Sequence, residues 1–313
     1  MSPSHTQHST TSIPHSSTIR MLVLETDEAH PDDHKEQGSF GQVLDKLFKT
    51  AGDNHDPPLG VETTMRFVVE DKEHREGSVP TIEELEGVHA VLVTGSMYDA
   101  HGDEEWILKL LELLRGVFRR SYTAMLMSPL LLTHNADIWT KRPDIKLSGV
   151  CFGHQLICRM LGSTVESTPG SRWELAHTTM KLSRTGRALF PSQAEKGTLD
   201  LHQMHSDHVV NAPTADTSKG PLKADQKVHV WASTETTDVQ GIYIRERAFT
   251  TQGHLGFDED MVKRQIEMRQ ESGAIEDEGI ARQGKEKAAE EHDGEIVAGA
   301  ILRFFHGEDC DIN

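Results

Sequence analysis

The pentapeptide Gly149-Val150-Cys151-Phe152-Gly153 sets a thiol between two glycines at G-x-C-x-G spacing. The residues before it, Lys146–Cys151 (KLSGVC), read as a strand, and Gly153–Leu161 reads as a helix. The thiol therefore falls on a sharp strand-to-helix turn. Such a turn holds its central residue at strained φ/ψ, and neighbours without a Cβ avoid clashes there. The turn lifts the side chain to the sheet edge, at the amino end of the following helix, which favours a thiolate. The backbone N–H of Phe152 is then aimed where an oxyanion would form. The chemistry these residues could perform is attack of a thiolate on an acyl carbonyl, with a thioester as intermediate. A buried, inert cysteine at a tight turn is the plainer alternative.

The elements that must position this turn alternate. Ile19–Glu25 (IRMLVLE) is a short apolar run of the kind that forms a buried parallel strand. Gly41–Thr50 has helical spacing through Val43, Leu44, Leu47 and Phe48, and Met65–Glu70 reads as the next strand. A short helix at Thr81–Leu85, with Thr81 and Glu84 at capping-box spacing, precedes a third strand, Val88–Thr94. Glu104–Arg119 is a strong amphipathic helix. Beyond the thiol, Val228–Ser233, Gly241–Arg245 and Phe249–Gly253 read as strands, Asp258–Glu291 as charged helix and Ala298–Phe305 as a closing helix. This alternation predicts an α/β fold, a mostly parallel central sheet flanked by helices. Ser121–Thr140 breaks the pattern, because about twenty extra residues between a helix and the next strand are unusual. It reads either as a surface insertion or as retained non-coding sequence.

Composition limits the partners. With 32 basic and 50 acidic side chains the formal net charge is -18, which disfavours nucleic acid and anionic membranes. Three cysteines, Cys151, Cys158 and Cys310, make a poor disulfide framework and suit a reducing compartment. Residues 1–18 are polar and hydroxyl-rich, lack the apolar region of a signal peptide, and read as a disordered tail. The most apolar stretch, Met125–Leu132, is far short of a membrane span. The expected location is the cytoplasm, with the nucleus as the alternative.

GVCFGHQ at Gly149–Gln155 resembles the nucleophile motif of class I glutamine amidotransferases, the superfamily of the GMP synthetase and carbamoyl-phosphate synthetase glutaminase domains. The resemblance runs from about Ile19 to Gly307. It includes LVTGSMYDAHGDEEWI (Leu92–Ile107), QMHSDHV (Gln203–Val209) and TTQGHLGFDED (Thr250–Asp260). HDGEIVAGAILRFFHG, His292–Gly307, is similar to the closing helix of the free-standing fungal and plant branch, which includes γ-glutamyl peptidases and amidotransferase-like proteins of fungal secondary-metabolite clusters. It implies a flavodoxin-like architecture with a small antiparallel addition, one domain over 19–307 and a tail at 308–313.

The same resemblance implies a site. His254 takes the place of the family's catalytic histidine. Phe152 and the turn at Gly95 and Ser96 take that of the oxyanion hole. Gln155 would contact the glutamine substrate, and His205-Ser206-Asp207 would hold its amino-acid end. One departure stands out. The family usually reads His-Pro-Glu, the glutamate holding the imidazole, whereas this chain reads His254-Leu255-Gly256. Asp258 or Glu259 could stand in only from a different spacing. Losing an orienting acid can lower turnover severely while sparing fold and binding.

The expected activity is hydrolysis of the γ-glutamyl amide of glutamine or of a γ-glutamyl conjugate. Ammonia from glutamine would pass to a separate synthetase or be lost. A catalytically degenerate binding or assembly module is the alternative. An α/β-hydrolase elbow ranks third, because no acid of similar quality follows the nucleophile in the required order. No cofactor is expected. His202, His205 and His208 are spaced three apart but lack a recognised metal pattern, so no metal is expected. Cys158 reads as helix packing, and the charges of Glu276–Asp293 as a solvated helical face.

Overall fold

The computed structural model describes residues 18–70, 76–118, 145–215 and 220–308. The expectations for residues 1–17, for Ser121–Thr140 and for Cys310 lie outside them. A nine-stranded sheet forms the frame. At one side of it β1 (Thr18–Glu25) is flanked in parallel by the edge strand β2 (Gly60–Phe67) and by β3 (Ala90–Val93). Next to β3, and parallel, come β4 (Lys146–Val150) and then β11 (Ala248–Thr251). Beyond β11 the sheet continues antiparallel through β10 (Gly241–Ile244), β9 (His229–Ser233), β6 (Glu174–Leu182) and β7 (Thr198–His205). A separate antiparallel pair joins β5 (Val165–Ser167) to β8 (Asp207–Val209). The expected mostly parallel core and small antiparallel addition are both present.

Successive residues of a strand point to opposite faces, so a strand covered on both sides must be apolar throughout. β1 and β3 show this. Leu22, Leu24, Val91 and Val93 pack on one face with Ile107, Leu110 and Leu114 of α3 (Glu105–Phe118) and Leu156 of α4 (Phe152–Met160). Met21, Val23, Ala90 and Leu92 face the other side. There they meet Leu44 and Phe48 of α2 (Phe40–Asp53) and Ile301, Phe304 and Phe305 of α8 (Gly294–His306). Phe48 stacks on Phe305 with centroids 6.0 Å apart. Burying each such ring contributes on the order of 1.5–3 kcal/mol. A third apolar cluster seats α6 (Glu259–Glu271) and α7 (Glu278–Glu286) against β6 and β7 through Met261, Val262, Ile266, Ala281, Ala176 and Met204.

Some expected boundaries shift. The second strand lies at Gly60–Phe67, earlier than Met65–Glu70, and alternates exposed with part-buried residues as an edge strand does. Thr81–Leu85 is only a 3₁₀ turn at Glu83–Leu85, with half a capping box in which the Thr81 N–H donates to Glu84 Oε2 at 2.8 Å. The charged stretch after Asp258 divides into two helices, and the closing helix starts at Gly294 rather than Ala298. α1 (Pro31–Glu36), α5 (Arg184–Leu189) and strands β5 to β8 have no counterpart in the sequence reading.

The carboxyl ends of β3, β4 and β11 meet at one sheet edge, the place where open α/β sheets hold their sites. The Cys151 N–H donates to Thr251 O at 2.9 Å and the Gly153 N–H to Thr94 O at 3.1 Å, so the turn after β4 is stitched to both neighbours. Glycine is needed twice. A Cβ on Gly149 would stand 2.4 Å from the Gly153 carbonyl carbon, and one on Gly153 would stand 2.3 Å from Val93 O. Both obstacles are backbone. Gly153→Ala is accordingly expected to cost about 2 kcal/mol or more, read as a lower urea midpoint. An unchanged midpoint would contradict this close packing.

Candidate active site

Cys151 sits at φ 51, ψ -107, outside the regions that L-residues favour, as the N-cap of α4. His254 follows β11 and is tied by its backbone N–H to His202 O at 2.8 Å. Its ring stacks on Phe257, centroids 3.9 Å apart and 16° from parallel. Gly95, just after β3, forms the floor between the two side chains. A Cβ there would lie 2.9 Å from His254 Cε1, 3.7 Å from His254 Nδ1 and 3.5 Å from Cys151 Cβ. Thiol and imidazole, about a hundred residues apart in the chain, therefore border the same glycine and line one cavity.

The carbonyls of the Gly95 turn are engaged away from the thiol. Thr26 Oγ1 donates to Gly95 O at 3.0 Å, and Ser96 Oγ donates to Thr26 O at 2.7 Å. On the other side of Cys151, Sγ lies 4.0 Å from Met204 O. Gln155 Nε2 donates to Asp207 O at 2.9 Å and to Gln252 Oε1 at 3.1 Å. His205 donates through Nδ1 to Asp207 O at 2.9 Å, and its Nε2 stands 3.0 Å from Glu174 Oε2. Ser206 O accepts from the Thr168 N–H at 2.8 Å. Asp207 Oδ1 accepts from Ser167 Oγ at 2.6 Å. Gln155 and the 205–207 loop are thus brought together beside the thiol.

Electrostatically the pair is neutral at rest. Burial pushes the Cys151 thiol up to about 11, against the opposing pull of the Arg269 charge and the Phe152 N–H. Burial, reinforced by Arg269, holds His254 well below the usual histidine range. Burial would also raise Glu174, but its contacts with His205, Thr234 and Thr236 prevail and hold it at about 2.

The third member expected of such a pair is displaced. Asp258 Oδ1 caps α6 by accepting from the Met261 N–H at 2.9 Å, and Oδ2 accepts from Gln37. Glu259 pairs with Lys263 on the helix surface. Both carboxylates are committed elsewhere, and His254 Nε2 is buried with no hydrogen-bond partner among the described residues. At Gly256, where the family pattern has its glutamate, a Cβ would come within 2.8 Å of Val43 Cγ1. Apolar packing from α2 fills the space of the missing side chain.

Other histidines separate. His202 is buried against His292, with ring centroids 4.7 Å apart, while His208 Nδ1 bonds Glu166 O at 3.1 Å. Together with His205 on Glu174, they point to three different partners. Cys158 is buried in α4, and burial raises its thiol.

The residue that sequence reading missed is Arg269. Its guanidinium lines the same cavity, lies over Trp173 at 5.7 Å, and donates to Gln265 O and Oε1 at 3.1 and 2.6 Å. Among the described residues no carboxylate makes an ion pair with it. A signal existed in the spacing. Met261, Gln265 and Arg269 repeat every four residues beside Val262 and Ile266, which puts a cation on the buried face of α6. The cavity is small, with a free volume of about 40 Å³, against the roughly 10–15 Å³ that one water needs by the same measure.

No protein-family model matches the chain. It is 22% identical to a glutamine amidotransferase-like protein of Schizosaccharomyces pombe over 91% of this chain and 97% of the other. It is 23% identical to gamma-glutamyl peptidase 2 of Arabidopsis thaliana over 65% of this chain and 67% of the other. Among solved structures, a glutamine amidotransferase of Thermotoga maritima matches with a TM-score of 0.56 at 15% identity, over 92% of this chain and 98% of that one. The fold is that of class I glutamine amidotransferases, and the sequence resemblance extends to amidotransferase-like proteins and γ-glutamyl peptidases.

Because burial holds the thiol protonated, alkylation of Cys151 by iodoacetamide is expected to be slow at pH 7. Its rate should rise about tenfold per pH unit as the thiolate fraction grows toward pH 11. A rate already level below pH 8 would contradict the buried, neutral thiol.

Proposed function

We propose that this chain is a γ-glutamyl amide hydrolase of the glutamine amidotransferase-like type, working through a γ-glutamyl thioester on Cys151, with residues 19–307 acting as one domain. The observation that carries the proposal is the strained Cys151 at a strand-to-helix turn, bordering the same glycine as His254. Its chemistry follows from the neutral resting pair. Neutral His254 accepts the thiol proton as Sγ attacks the γ-carbonyl carbon. The N–H of Phe152 and those of the Gly95-Ser96 turn stabilise the oxyanion. His254 then gives its proton to the leaving nitrogen, and water, activated by the same ring, cleaves the thioester.

Arg269, a buried cation that lines the cavity with Asp27 but makes no direct ion pair among the described residues, takes a carboxylate of the donor. Gln155 and the His205-Ser206-Asp207 loop hold the amino-acid end. The free volume is too small for a whole γ-glutamyl group, so binding displaces side chains at the mouth. A γ-glutamyl peptide or conjugate is the preferred donor, as the names of the plant relatives suggest. With glutamine as donor, ammonia would pass to a separate synthetase. A cytoplasmic place in a fungal secondary-metabolite pathway belongs to the same proposal and rests on the sequence resemblance.

The test is glutamate release from glutamine and from γ-glutamyl peptides. Wild type is expected to turn over at least one donor and Cys151→Ala none; equal rates in both would defeat the mechanism. Arg269→Met is expected to raise KM by ~10-fold or more with a smaller effect on kcat, because truncating one partner of a buried charge pair costs about 2–5 kcal/mol.

A second assignment, a degenerate amidotransferase fold whose turnover is weakened by the lost acid, is favoured by one observation: a Cβ at Gly256 would meet Val43 Cγ1 at 2.8 Å. Gly256→Glu alone is expected to lower stability and leave turnover unchanged. Gly256→Glu combined with Val43→Ala is expected to raise kcat by ~10-fold or more, since an orienting acid can be worth up to ~10⁴. A double variant no faster than wild type would show that the missing acid does not limit the reaction.

A further inference from the structure

The carboxyl end of α8 folds back on itself. Gly307 takes the left-handed conformation (φ 92, ψ 23), and the N–H groups of Gly307 and Glu308 both donate to Arg303 O, at 2.9 and 3.0 Å. This glycine-terminated helix end returns the Glu308 carboxylate over the last helical residue, whose ring atom His306 Nδ1 lies 2.6 Å from Glu308 Oε1. His55 arrives from the opposite side, just past the end of α2, with Nε2 2.9 Å from Glu308 Oε2. The two imidazoles stand edge to face at 6.0 Å. One ligand atom from each of the three residues lies within 4.8 Å of the other two.

The hydrogen bonding of His55 fixes which of its ring nitrogens faces the carboxylate. Its Nδ1 is 2.7 Å from Pro57 O, and a carbonyl can only accept, so Nδ1 carries a proton. In the neutral ring the Nε2 lone pair then faces a carboxylate oxygen at 2.9 Å, with the side chain largely buried. Two acceptors at that distance need a positive charge between them, which a proton on the ring or a bound cation supplies. A backbone carbonyl that fixes the Nδ1–H tautomer and presents Nε2 is the usual support for a metal-binding histidine. Two imidazoles and one carboxylate are a donor set for borderline divalent ions, and donors about 2.1 Å from a tetrahedral ion stand roughly 3.4 Å apart, so the two contacts seen here would open by about 0.5–0.8 Å to admit one.

We propose that His55, His306 and Glu308 form a binding site for a first-row divalent transition ion, zinc above all, which pins the end of α8 to the loop that follows α2. The site shares no residue with the Cys151 cavity and stands independently of the reaction assigned there. It couples two helices that already pack through Phe48 and Phe305, and its effect is read as stability.

The test uses the full chain carrying Cys151→Ala, which removes one competing thiol. After dialysis against a chelator, zinc chloride is added in a calorimetric titration, and thermal unfolding is followed with and without the ion. Saturable binding near one equivalent and a zinc-dependent rise in Tm are expected. His55→Ala and Glu308→Gln should each weaken binding ~10-fold or more and abolish the rise, whereas His34→Ala on the surface of α1 should leave both unchanged. Glu308→Gln preserves side-chain shape, so its result stands even if His55→Ala folds poorly. No saturable binding, or binding unchanged in Glu308→Gln, would overturn the proposal.

Discussion

The site depends on a steric bargain at the end of β4. The chain can turn from strand to helix within one residue only if the backbone at Gly149 and Gly153 passes within van der Waals range of its neighbours, and both glycines do so. The hydrogen bonds from Cys151 to Thr251 and from Gly153 to Thr94 fix the turn to the strands on either side. Those strands continue into His254 and Gly95. One local packing constraint thus sets the positions of the Cys151 thiol, the His254 imidazole and the Gly95 turn together. Each is placed by a strand end rather than by a free loop, which favours precise geometry.

Charge is arranged with equal economy. Burial pushes the thiol up and the imidazole down, which favours the neutral form of both, and Arg269 lines the same cavity. A neutral pair costs little to bury, whereas the Arg269 guanidinium is buried with only the more distant Asp27 charge acting on it. At the start of β6, Glu174 meets a different requirement. It gathers His205, Thr234 and Gln240 around one carboxylate and so braces the 205–207 loop.

Much of this was legible in the sequence. The parallel strands announced themselves as short apolar runs, since a strand buried on both faces has no other composition open to it. Cys151 was legible because only small residues can flank such a turn. The antiparallel half was hidden. β6 and β7 mix histidines, threonines and charges with their apolar residues, so neither shows the continuous apolar run of a buried parallel strand. Arg269 was lost among the charges of Asp258–Glu291, where a single buried guanidinium looks like its solvated neighbours. The stand-in acid could not be judged from spacing alone. Asp258 has the right chemistry, but the amino end of α6 claims its side chain first.

The account rests on sulfur becoming an acyl carrier, and the most direct measurement is of that bond. Wild-type protein mixed with a γ-glutamyl donor and quenched in acid during turnover should carry a hydroxylamine-sensitive γ-glutamyl group on the peptide containing Cys151, located by mass spectrometry. Glutamate release with no such adduct at Cys151, or an adduct confined to another residue, would contradict it.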